Sequence, residues 1–147
     1  NREAASDMLA GSLFAGMAFS WARLGNIHAM SHPVSAFYNV PHGVANGILF
    51  PYVVKYNEEA AFEKYRKIYN NISTEKKSAE EFSKGMLEQA VRELNKQLGI
   101  PAKLSDVGVT REHFSQMTED AMKSGNIAVN PRKTGSEDIL GIYEEAL

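Results

Sequence analysis

Three of the four histidines, His28, His32 and His42, fall in one short and nearly uncharged window between Gly25 and Asn46. Neutral imidazole is the commonest protein ligand for first-row transition metals, and a stretch with few competing charges can be buried around an ion. His28 and His32 stand four residues apart, so on a continuous helix they would point the same way and could clasp one ion. The spacing lacks the glutamate of an HExxH metalloprotease and runs directly into Pro33, and two ordinary hydrogen-bonded histidines would account for it as well. His42 strengthens the metal reading. It follows Pro41 and precedes Gly43 at an expected helix start, where a side chain projects from a rigid corner and a glycine lets another backbone or a ligand approach closely. With no cysteine in the chain, disulfides, thiolate zinc sites and thiol nucleophiles are excluded, so any metal must rest on histidines and carboxylates.

The elements that must position these residues read as helices. From about Arg2 to Leu24 strong helix formers carry apolar side chains almost all round (Leu13, Phe14, Met17, Phe19, Trp21, Leu24), which predicts a buried helix. Phe19 and Leu24 are read first as packing residues, with a wall of an apolar substrate pocket as the alternative. Gly25 and Asn26 are natural stop residues, and a short helix is expected to carry His28 to His32 before Pro33 disturbs it. His42 to Tyr56 reads as an apolar helix bent at Pro51, after which Asn57 can cap the next, with Phe62, Tyr65, Ile68 and Tyr69 on one face.

Further along, Ser78 with Glu81 forms a capping box for a helix striped by Phe82, Met86, Ala90, Val91, Leu94 and Leu98 and ended by Gly99 and Pro101. Thr110 can cap a helix bearing Phe114, Met117 and Ala121, with His113 solvent-exposed in its first turn. Thr134 with Glu137 forms a second capping box before Ile139, Leu140 and Tyr143. Polar turns lie around Asn70–Thr74 and Lys123–Lys133, and Arg132 is either in an interdomain ion pair or on a surface loop. No strand alternation, repeat or linker appears. The expected fold class is all-α, one domain of six or seven helices.

At 147 residues the chain suffices for one core but not for a nucleotide domain plus a substrate domain. A net charge of −2 with interspersed lysines, arginines and acids offers no field for a phosphate backbone, so nucleic acid is not an expected partner. No apolar run approaches the roughly 20 residues that span a bilayer, and the chain reads as free of the membrane and cytoplasmic. Asn1 opens directly into helical composition without an initiator methionine, as expected of a piece of something longer.

Taken together, Gly16-Met17-Ala18-Phe19, Leu24-Gly25, His28-Ala29-Met30-Ser31-His32-Pro33, Phe37-Tyr38-Asn39-Val40-Pro41-His42-Gly43-Val44-Ala45-Asn46 and Leu49-Phe50-Pro51 resemble the signature of the iron-containing alcohol dehydrogenases. The similarity continues through Tyr56-Asn57, Gly99-Ile100-Pro101 and Asn130-Pro131-Arg132, and so covers essentially residues 1–147. The resemblance implies the C-terminal helical domain of the dehydroquinate synthase-like fold, with the N-terminal dinucleotide-binding domain lying outside this chain. It implies that His28 and His42 are metal ligands, completed by an Asp and a His upstream. His32 is implied as a catalytic residue beside the nicotinamide and substrate.

The implied activity is NAD(P)-dependent alcohol oxidation or aldehyde reduction. Fe2+, with Zn2+ as the alternative, would polarise the alcohol or carbonyl oxygen for hydride transfer, and NAD or NADP would be held mainly by the missing domain. The implied partners are a small alcohol or aldehyde, the upstream domain and a second subunit of a homodimer. No Gly-rich phosphate loop follows a strand here, so the isolated chain is expected to be inactive. The competing expectation is a stand-alone helical module holding zinc structurally through His28, His32 and His42.

Overall fold

The computed structural model describes all residues, Asn1–Leu147, and contains helices and turns with no strand. Six α-helices follow one another: α1 (Arg2–Ala22), α2 (Gly25–Tyr38), α3 (His42–Ile72), α4 (Met86–Gln97), α5 (Phe114–Met122) and α6 (Ser136–Ala146). Short 3-10 turns at Leu104–Val107, Arg111–His113 and Ile127–Val129 join the later ones. The all-α reading and the number of helices agree with the structure. No helix is long and apolar enough to cross a membrane.

The core is built where α2, α3, α5 and α6 meet. Met30 and Val34 of α2, Ile48, Leu49 and Val53 of α3, Met117 and Ala121 of α5 and Ile139 and Tyr143 of α6 are sealed from solvent, with Leu104 closing one side. Tyr143 is the largest of them, and a phenol taken that deep must keep a hydrogen-bond partner. Its hydroxyl donates to the Met30 carbonyl at 2.7 Å, while its ring stacks on Phe114. That pair ties the last helix to the helix carrying His28 and His32.

A buried polar knot fixes where α2 begins. The Asn130 Oδ1 accepts from the Asn26 backbone N–H at 3.2 Å and from Asn57 Nδ2 at 3.1 Å, and Asn130 Nδ2 donates to Asn57 Oδ1 and to the Arg132 carbonyl. Asn26 Nδ2 in turn donates to Thr134 Oγ1 at 2.9 Å. Gly25 makes this approach possible. Its φ is +66°, and a Cβ built there would stand 3.1 Å from Asn130 Oδ1, so an L side chain meets strain and crowding at once.

Several expectations are corrected. α1 forms where predicted but has no buried residue: Trp21 is 91% exposed and Leu13, Phe14 and Met17 face solvent too. Its apolar circumference has no partner within this chain. Phe19 is accordingly exposed rather than packed. Pro33 does not end the second helix, which runs on to Tyr38 with Pro33 buried inside it. Proline removes one intrahelical donor, and the burial of Met30 and Val34 on either side holds the helix together. Asn57 caps nothing; it lies inside α3, whose one departure from helical geometry is Ala61, at φ −125°.

The Ser78–Glu81 box forms, with Ser78 N–H donating to Glu81 at 2.9 Å, but closes a single turn, and α4 starts only at Met86. On α4, Leu87 and Val91 are buried whereas Leu94 and Leu98 are exposed, so the apolar stripe is narrower than its sequence. Thr134 is consumed by the polar knot, and Asp138 rather than Glu137 receives the Gly135 N–H at the start of α6. Thr110 precedes a 3-10 turn, and its Oγ1 meets the Tyr38 hydroxyl instead of capping. His113 is half-buried between the rings of Phe37 and Tyr38. Arg132 lies in the loop before α6, as one of its two readings has it, and there stacks on Tyr56 and donates to its carbonyl.

The contrast between α1 and the core gives a measurable outcome. Deleting residues 1–22 from this chain should change the unfolding free energy of the remainder by less than about 0.5 kcal/mol, whereas Met30→Ala should cost about 2–5 kcal/mol. Urea titration at low protein concentration compares the two; a deletion as damaging as Met30→Ala would overturn the assignment of α1 to the outside of the core.

Candidate metal centre

The local sequence explains how three imidazoles meet. His28 and His32 lie on one face of α2 because the helix continues past Pro33, and His42 is the first residue of α3, launched from Pro41 after the left-handed turn at Asn39. Packing of α2 against α3 through Met30, Val34, Ala45 and Ile48 then closes the distance. The ring centroids of His28 and His42 are 5.1 Å apart, those of His32 and His42 also 5.1 Å, and those of His28 and His32 6.1 Å. All three predicted site residues are therefore brought together.

They are not equivalent. His28 is half-buried, while His32 and His42 are exposed on an open face. Burial holds the His28 imidazole below its ordinary value, with the neighbouring rings of His42 and His32 adding to the shift. His32 is lowered by burial first and by His42 second. Both effects favour the neutral ring, the form that offers a lone pair.

The donor set fits a divalent ion in part. Nε2 of His42 and Nε2 of His28 converge on one point, marked by the Asn46 amide nitrogen at 3.0 and 3.4 Å. His28 Nδ1 is buried without a partner, although an imidazole ligand ordinarily donates its other ring N–H to an oxygen acceptor. No group of three His, Asp or Glu side chains converges tightly enough to hold an ion alone. A zinc held by all three imidazoles, as the stand-alone reading requires, finds no support in this geometry. A Cβ on Gly43 would meet nothing within 4 Å, so the side of the site next to His42 is open.

Sequence reasoning assigned no role to Asn46. The signal was present in its position four residues after His42 on the same helix, but became chemical only when α2 placed His28 opposite. The polar knot of Asn26, Asn57, Asn130 and Thr134 was likewise unassigned. Leu24, the other residue weighed as a pocket wall, is half-buried at the junction of α1 and α2.

Comparison with known proteins gives the family. The model of the Fe-containing alcohol dehydrogenase family, C-terminal, matches residues 1–147. Lactaldehyde reductase of Escherichia coli (strain K12) is 42% identical over 99% of this chain, which covers 38% of that protein. The 1,3-propanediol dehydrogenase of Klebsiella pneumoniae is 39% identical over 99% of the chain, again 38% of the relative. Among solved structures, that of a 1,3-propanediol oxidoreductase superposes with a TM-score of 0.83 at 38% identity, covering 92% of this chain and 36% of the other. An alcohol dehydrogenase from Oenococcus oeni gives 0.82 at 38% identity, over 90% and 35%. The chain thus spans little more than a third of the relatives it matches. It belongs to the Fe-containing alcohol dehydrogenase family, to whose C-terminal region its whole length corresponds.

Proposed function

We propose that this chain is the metal-binding helical half of an iron-dependent NAD(P) alcohol dehydrogenase or aldehyde reductase. The observation that carries the reading is the convergence of His28 and His42 Nε2 on one point, with His32 beside it, on an open face. A divalent iron, or zinc in its place, supplies Lewis acidity toward the substrate oxygen, and NAD or NADP, held mainly by an upstream dinucleotide-binding domain, supplies the hydride exchange.

His28 and His42 bind the ion through Nε2. Burial holds the His28 ring below its ordinary pKa and so favours the neutral form that ligates. His32, exposed next to His42 and lowered by burial and by that neighbour, takes a proton when an alcohol is oxidised and returns one when an aldehyde is reduced. The upstream domain completes the ligand set with an Asp and a His and covers the open side next to Gly43. A small alcohol or aldehyde then reacts between the upstream domain and this one, within each subunit of a cytoplasmic homodimer. By itself the 147-residue chain holds two of the ligands and turns nothing over.

Two outcomes check the assignment. In the native protein, His28→Ala and His42→Ala should each lower iron content at least ten-fold by elemental analysis, while His32→Gln should retain the metal and lose roughly 10²–10⁴ in kcat. Full metal occupancy in both alanine variants would sink the ligand pair. The metal-free chain should also lose stability as pH falls through 6.5, the ordinary histidine value. The folded pKa values of His28 and His32 are depressed, so below 6.5 the unfolded chain binds protons that the folded chain does not, and stability rises with pH across that window. Urea midpoints at pH 5.5 and 7.5 measure it, and His28→Ala should flatten the slope.

A further inference from the structure

Asn46 is the one side chain within hydrogen-bond distance of both imidazoles of the pair. It lies four residues after His42 on α3, so the two side chains share a face. Its Nδ2 stands 3.0 Å from His42 Nε2 and 3.4 Å from His28 Nε2. A carboxamide nitrogen carries two hydrogens, one for each ring. Both contacts are made together only when each Nε2 bears a lone pair, which places the proton of each neutral ring on Nδ1. Turning the amide over would present Oδ1 to the rings and bury the two-hydrogen donor with nothing to accept from it. The orientation observed leaves one acceptor, Asn46 Oδ1, and one donor, His28 Nδ1–H, buried and unpartnered, against the two amide hydrogens and a ring lone pair that the other would leave, which is the smaller cost.

On the reading of His28 and His42 as ligands, we infer that Asn46 is a positioning residue that stands in for the ion. In the metal-free site its amide occupies both lone pairs, keeps the two rings facing one point and holds them in the tautomer that ligation through Nε2 requires. One lone pair cannot serve an amide hydrogen and a cation at once, so loading the metal exchanges two hydrogen bonds for two coordinate bonds. Because those hydrogen bonds belong to the empty state alone, they weaken net metal affinity while keeping the site ordered. With Oδ1 unpartnered, nothing anchors the amide from its other end, and its release from the rings breaks no further contact.

The test compares wild type with Asn46→Ala, a substitution favourable to helix, and with Asn46→Ser as a second variant, far-UV circular dichroism checking that each folds. In the metal-free protein, ring ¹⁵N chemical shifts should report His28 and His42 as Nδ1–H tautomers in wild type and as mixed tautomers in both variants. In the native protein, Co2+ affinity measured by competition with a chelator should rise about ten-fold in the variants, the worth of two modest hydrogen bonds. Unchanged tautomers would overturn the contact; unchanged or weaker Co2+ binding would overturn the stand-in role, the weaker result marking Asn46 as a support kept in the loaded site. If His28→Ala leaves Co2+ affinity intact while Asn46→Ala shifts the tautomers, the ligand reading fails and the amide contact stands.

Discussion

The position of α2 depends on two polar attachments, of which the first is a carboxamide. Asn130 joins the start of α2 to the middle of α3 and to the loop before α6, and it does so only because residue 25 has no side chain. One turn beyond that anchor stands His28; two turns beyond stands His32. A slip of one residue at Gly25 would rotate every side chain of α2 by about 100° about its axis, moving Met30 and Val34 off the core and His28 away from His42. The Tyr143 hydroxyl on the Met30 carbonyl secures the same register from the opposite side. Polar groups this deep are costly when unpaired, so the two attachments specify one register and penalise its neighbours.

What could be read in advance follows from how local each signal is. Helices with apolar periodicity, such as α4, which ends before Gly99 and Pro101, α5 and α6, were legible because intrinsic propensity and burial point the same way there. The two capping-box patterns illustrate the boundary. Ser78 with Glu81 forms its box since neither side chain has a rival partner, whereas Thr134 is claimed by Asn26 and Asn130 from more distant sequence. A local pattern carries no information about that competition. Pro33 is a similar case, a helix breaker overruled by the burial of its neighbours.

The histidines were legible by density and Asn46 was not, because an amide acquires chemical meaning only from what faces it. α1 lies between these cases. Its all-round apolar composition predicts burial, and none of its residues is buried in this chain. The exposed face of α1, the open side next to Gly43 and the unpartnered His28 Nδ1 are three separate places where this chain leaves a group without contact.

The break at Ala61 divides α3 into two arms with different allegiances. Up to Val53 the helix belongs to the main core; beyond Ala61, Phe62, Tyr65 and Tyr69 pack with Val54, Phe82 and Leu87 in a cluster of their own. Cooperative units of this kind open with their own free energies. Residues 62–85 thus form an annex whose packing is separate from that of the histidines, so an insertion there would leave the core beneath the imidazoles in place.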